Sequence, residues 1–147
     1  MGLEVLFYDA FDNLDGWGAY NPGIFSIVNQ RIKAIGPGKT VSYITRTGGG
    51  IIQGATYLVE WELYDQASGG GSFYVGSNSQ VNFTSYGLGW KSLYIVAGSD
   101  DSNFRMSVAG PGGSMVWIMD WLRVSLVTGK SNLINNGLIN NLVNKGL

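Results

Sequence analysis

Residues 56–65 read Thr-Tyr-Leu-Val-Glu-Trp-Glu-Leu-Tyr-Asp, and this stretch decides the fold class. Successive side chains of a strand point to opposite faces, so Tyr57, Val59, Trp61 and Leu63 share one face. Glu60 and Glu62 share the other with Leu58 and Tyr64. A helix would scatter these apolar positions around its circumference; only an extended chain collects them on one side. The segment is therefore a long strand, one side of which belongs in a core.

The same alternation recurs outward in both directions, interrupted by turn residues. Strands are predicted over 3–8, 24–28, 31–35, 40–46, 56–65, 72–75, 80–83, 90–97, 103–109 and 115–127. Their breaks are Asn29-Gln30, Gly36-Pro37-Gly38, Gly48 to Gly50, Gly69 to Gly71, Gly98 to Asp101 and Gly110 to Gly113, each with turn chemistry. Ten short strands with no helix between them predict an all-β chain, a two-sheet antiparallel sandwich of the jelly-roll kind. In the last strand, Val116, Ile118, Leu122, Val124 and Leu126 are expected on one face, interrupted by Asp120. Trp117, Met119, Trp121 and Arg123 are expected on the other, so both faces must be covered or functional.

Composition removes most chemistries. The chain of 147 residues contains no His and no Cys, which excludes imidazole catalysis, thiol nucleophiles, disulfides and Cys/His zinc sites. Nine basic and ten acidic residues give a net charge of -1 with no basic cluster, which argues against a nucleic-acid partner. No apolar run is long enough to span a bilayer and no signal segment opens the chain, so no membrane partner and a start near Met1 are expected. Gly, at 23 residues, exceeds its usual share more than any other residue type, and it falls mainly at the turns.

After residue 127 the composition changes, and two units are expected: a sandwich over 1–127 and a C-terminal arm over 128–147. Residues 131–147, SNLINNGLINNLVNKGL, carry six Asn, two Gly and seven aliphatics in a repeated Leu-Ile-Asn-Asn pattern. Asn and Gly disfavour an isolated helix, while exposed aliphatics need a cover. Leu133, Ile134, Leu138, Ile139, Leu142, Val143 and Leu147 are the expected contact residues; a frayed tail is the alternative.

Three groups of side chains could carry function. Glu60 and Glu62 place carboxylates roughly 6 to 7 Å apart by strand rise, near the separation a glycosidase needs, although paired acids on a solvated strand face are common. Asp9, Asp12 and Asp15 offer the oxygen ligands that calcium takes, or else form turns. The aromatic side chains exceed what one small core holds. Sugar C–H faces stack on such rings, and Trp17, Tyr20, Tyr64, Tyr74, Tyr86 and Trp90 are the glycan-binding candidates.

Three segments taken together resemble the carbohydrate-binding-module-like jelly rolls of the family 4/9 and galactose-binding-like type. Residues 11–17, FDNLDGW, are similar to the family's "F...LdGW" opening. Gly54-Ala-Thr-Tyr57 and the strand after it resemble "G-x-x-Y-x-v-s-f", and Trp117-Ile-Met-Asp120-Trp-Leu-Arg-Val124 resembles the closing "i-D-N-v-x-v". The resemblance runs over residues 3–127. It implies a jelly roll, sugar binding as one of its uses, and a structural calcium for which Asp9, Asp12 and Asp120 would be ligands. Trp121 stands where the closing motif usually has Asn.

A jelly roll does not by itself choose a function. A sandwich with no catalytic domain beside it and an apolar arm is similar to phage head-decoration and tail-associated proteins. The leading expectation is a non-enzymatic structural protein of a phage-like virion. Its partners would be further copies of itself and other virion or capsid subunits, with no cofactor required and calcium as an optional ion. The alternative is a stand-alone glycan-binding module at an extracellular surface.

Overall fold

The computed structural model describes residues 2–67, 70–77, 79–98 and 102–129. The expected contact residues from Leu133 to Leu147 lie outside them. The strands are β1 Gly2–Asp9, β2 Trp17–Gly18, β3 Phe25–Ile27, β4 Ile32–Ile35, β5 Ser42–Arg46, β6 Thr56–Gln66, β7 Gly71–Val75, β8 Gln80–Asn82, β9 Gly89–Val96, β10 Phe104–Val108 and β11 Met115–Thr128. A single 3-10 turn, Phe83–Tyr86, follows β8. Each of the ten predicted strands meets one of these. The two-residue β2 was not anticipated, and Phe83 leaves its predicted strand for the 3-10 turn.

The first sheet has the order β3-β4-β11-β6-β9, with β1 also paired to β11; the second has β2-β5-β10-β7-β8. All pairings are antiparallel. The inner sets β4-β11-β6-β9 and β5-β10-β7-β8 reproduce the eight-strand jelly roll, because the chain passes to the opposite sheet after β4, β5, β6, β8, β9 and β10. The sheets meet through rings. Trp61 on β6 packs edge-on against Phe73 on β7 at 5.1 Å, Phe73 stacks on Phe83 at 4.4 Å, and Phe83 meets Trp117 on β11 at 5.2 Å. Gly71 is required here, since a Cβ would lie 2.6 Å from Phe83 Cζ.

The inward face of β6 is the one its alternation predicts: Tyr57, Val59, Trp61 and Leu63 are all buried. In β11 the simple alternation fails. Trp117 and Met119 point into the core in its first half, Leu122 and Val124 in its second. Two bulges allow this. Ile118 pairs with Asp65 and Met119 with Leu63, so Tyr64 is the extra residue on β6; Trp121 pairs with Glu62, so Asp120 is the extra residue on β11. The inserted Asp120 reverses the parity of every side chain after it.

One cation holds both inserted residues. Arg31 donates from Nε to Asp120 Oδ1, and its guanidinium carbon lies 3.7 Å from the Tyr64 ring centre. Arg31 is presented by the β3–β4 hairpin, whose central Asn29 and Gln30 have φ of 52° and 59°. Val28 and Arg31 exchange backbone hydrogen bonds of 2.9 and 3.1 Å across that turn. These are the features of a two-residue type I′ loop.

A second anchor closes the N-terminal loop. Asp9 accepts from Phe11 N at 2.7 Å, Trp17 Nε1 at 2.6 Å and Arg46 Nη1 at 3.0 Å. The Phe11 backbone, at φ 58°, is held in the left-handed region by the first of these bonds. Removing the carboxylate leaves a buried indole N–H and a half-buried guanidinium without it. Asp9→Ala is expected to destabilise the protein by about 2–4 kcal/mol. The check is a lower urea midpoint at unchanged slope; a midpoint equal to the wild type would mean the three bonds contribute nothing net.

Candidate ligand-binding site

The outer face of the second sheet is read directly from its register. Thr45 on β5 lies opposite Arg105 on β10, and Arg105 lies opposite Tyr74 on β7, which faces Gln80 on β8. The next outward row is Tyr43, Ser107, Ser72 and Asn82. Ile44, Phe104, Met106, Phe73 and Val75 point the other way and are buried. Strict alternation in these short strands thus puts hydroxyls, amides, one guanidinium and two phenols on a single surface.

A cleft of about 340 Å³ opens on this face, lined by Ala19, Tyr43, Thr45, Tyr74, Ser77 and Arg105. The two tyrosine rings stand edge to face, 5.6 Å apart at 66°. Gln80 Nε2 donates to Ser72 Oγ at 3.2 Å beside the cleft, which fixes part of its polar rim. Strands β2, β5, β7, β8 and β10 contain no carboxylate. Two rings with hydroxyl and guanidinium donors around them suit a polar ligand that also carries apolar C–H faces.

The outer face of the first sheet is different in kind. Its rows run Trp90, Glu62, Trp121; then Ser92, Glu60, Arg123, Tyr8; then Tyr94, Leu58, Ser125, Val5; beyond them Val96 pairs with Thr56 and Leu3 with Val127. Both of its glutamates have partners on β11. Arg123 makes a bidentate pair with Glu60 at 2.8 and 3.0 Å, and Trp121 Nε1 donates to Glu62 at 2.9 Å. The Glu60 bond holds the Arg123 guanidinium above its ordinary pKa. What remains exposed is a flat apolar surface that includes Trp90, Tyr94 and Tyr64.

The six glycan candidates therefore do not form one site. Tyr64 and Trp90 share the first sheet's outer face, while Tyr74 sits in the cleft on the opposite side of the molecule. Trp17 is buried in the core with its indole N–H on Asp9, which removes its ring face from any ligand. Tyr20 packs against the core, and Tyr86 stands edge-on to Trp61 at 5.8 Å. Tyr43, Thr45 and Arg105 line the cleft and are absent from the candidates. The alternation in Ser42–Arg46 and Phe104–Val108 marks them as outward-facing, but only the register across β5, β10 and β7 brings them together.

The acidic candidates are committed elsewhere. Glu60 and Glu62 have the partners just described and line none of the clefts described here. Asp9 is held by Arg46 and Trp17, and Asp120 by Arg31. Among the described residues no three His, Cys, Asp or Glu side chains converge on a common point for a metal, so Asp9, Asp12 and Asp120 are not gathered.

Burial pushes the Tyr74 hydroxyl above its ordinary 10.0, reinforced by its hydrogen bond and charge repulsion with Tyr43 and opposed by Ser107 and Arg105. A raised phenol favours the neutral folded state, so its contribution to stability is full below the unfolded value and is lost as pH rises through the folded one. Tyr43→Phe is expected to move the Tyr74 midpoint down toward the ordinary value. Tyrosinate absorbance in an alkaline titration reads this, and an unmoved midpoint would rule out the contact between the two phenols.

No family model matches the chain, and no curated protein matches it. Among solved structures, it is similar to the C-terminal CBM6 of LamC, a marine laminarinase from Zobellia galactanivorans. The identity is 15% and the TM-score 0.44, over 81% of this chain and 98% of that one.

Proposed function

We propose that this protein is a non-enzymatic glycan-binding module that takes a short saccharide in the cleft on the second sheet. The edge-to-face pair of Tyr43 and Tyr74, set among hydroxyls and a guanidinium in an open cleft, carries this reading. A sugar ring lays its C–H face on one phenol, and its hydroxyls exchange hydrogen bonds with Thr45, Ser77 and Arg105. The cleft lies at the lower end of small-molecule site sizes, about 300–1,000 Å³, which favours a short saccharide bound weakly. An extracellular surface is the matching location. Among the described residues no carboxylate lines the cleft, and the reading assigns calcium no role there.

The test is a glycan array followed by titration of any hit. Tyr74→Ala and Tyr43→Ala are expected to weaken binding at least tenfold, about 1.4 kcal/mol, while Trp90→Ala leaves it unchanged. No hit, or a hit indifferent to both tyrosines, overturns the reading.

A second reading, a structural protein of a phage-like virion, draws on one separate observation. Leu3, Val5, Tyr8, Tyr64, Trp90, Tyr94 and Val96 are all exposed on the first sheet's outer face. Exposed apolar side chains gathered on one face, on both sides of the Ser92-Glu60-Arg123 row, suit contact with further copies or with capsid subunits. The glycan-binding reading expects a monomer at low micromolar concentration. A stable homo-oligomer in a mass measurement, dissociated by Trp90→Glu, would favour the assembly reading instead.

A further inference from the structure

Strand β1 pairs with β11 alone among the described strands, so its other edge is left for another occupant. It is bulged at Leu6, between Val5 paired with Ser125 and Phe7 paired with Val124. Between β1 and the connection after β5 runs a groove of about 410 Å³ whose apolar wall is Val5, Leu6, Ile52 and Leu126. It continues past Leu6 and Gly50 into a second hollow of about 230 Å³. The far wall is firm. Tyr57 is fully buried, accepts from Ile52 N at 2.8 Å and donates to Gly50 O at 3.3 Å, which ties the connection after β5 to β6.

The chain itself leaves the sheet at this place. Thr128, the last residue of β11, lies opposite Gly2, the first of β1. Eighteen residues follow Gly129, and Leu133, Ile134, Leu138, Ile139, Leu142, Val143 and Leu147 recur among them. They include two lysines and no acidic side chain, whereas the groove carries Glu4 on its rim. Reach is sufficient. Passing from β11 across β1 covers two strand spacings, about 10 Å, and four extended residues span about 13 Å. A segment tethered this closely has a large effective concentration at the groove, which favours its own chain over a neighbour's.

We infer that residues 133–147 seat their aliphatic side chains in the groove between β1 and the connection after β5 of the same chain. The segment then covers Val5 and Ile52, which otherwise stand more than half exposed at 54% and 57%. This inference is independent of the saccharide cleft, which lies on the other sheet.

The test uses the full chain with methyl-labelled Ile, Leu and Val. Nuclear Overhauser contacts are expected between methyls of residues 133–147 and those of Val5, Leu6 and Ile52, and they should persist on dilution. Ile52→Asp, at an exposed position, should remove them and shift the resonances of residues 133–147 while leaving core methyl shifts in place. Absence of the contacts in the wild type overturns the inference. So does their appearance only between differently labelled chains, which would make a second copy the occupant.

Discussion

The reversal of side-chain parity in β11 is the constraint on which the sandwich rests. This strand pairs with β6 along one side and with both β4 and β1 along the other, so its register sets three neighbours at once. With unbroken alternation, a strand that buries Trp117 and Met119 would expose Leu122 and Val124. The extra Asp120 lets both pairs face the core, and the extra Tyr64 on β6 keeps the partner in step. A bulge is costly when it leaves polar groups unpaired. Here Arg31 binds the carboxylate of one inserted residue and covers the ring of the other, so both insertions are engaged by one side chain.

The two outer faces follow from what each sheet does with its polar residues. On the first sheet, Glu60 and Arg123 stand opposite each other on adjacent strands and pair, with Glu60 only 7% exposed, and Glu62 accepts from the Trp121 indole. With the Arg123 side chain 42% exposed, solvent screens part of the attraction, and the pair contributes more to register than to net stability. The exposed remainder of that face is mostly apolar, with Ser92 the polar interruption on β9. The second sheet has no acidic residue in its strands, and its phenols, Thr45 and Arg105 border a hollow, with the Ser72 and Ser107 hydroxyls buried beside them. The same alternation rule thus yields a flat apolar wall on one side and a polar, aromatic cleft on the other.

The local reading of strands succeeds wherever turn chemistry and alternation agree. The Asn29-Gln30 break becomes a type I′ hairpin, and β6 turns its expected face inward. The reading fails at Asp120, because a bulge carries no signature in a strand that is apolar on both sides. It also misassigns Trp17. An aromatic residue after an Asp- and Gly-rich loop looks available for stacking, yet the partner that buries it, Asp9, is eight residues back and reaches it only after β1 and β2 are placed. Neither Tyr43 nor Arg105 stands in a motif; they acquire meaning from being neighbours of Tyr74.

Sequence alone determined the all-β class, the strand boundaries to within a few residues, the core face of β6 and the absence of imidazole and thiol chemistry. These depend on period, composition and turn residues, which are properties of neighbouring positions along the chain. Tertiary structure alone decided which aromatics are core and which are surface, where the charges pair, and that a cleft forms on the second sheet. Those depend on which strands become neighbours across the jelly roll, and pairing partners such as Arg31 and Asp120 are 89 residues apart in sequence.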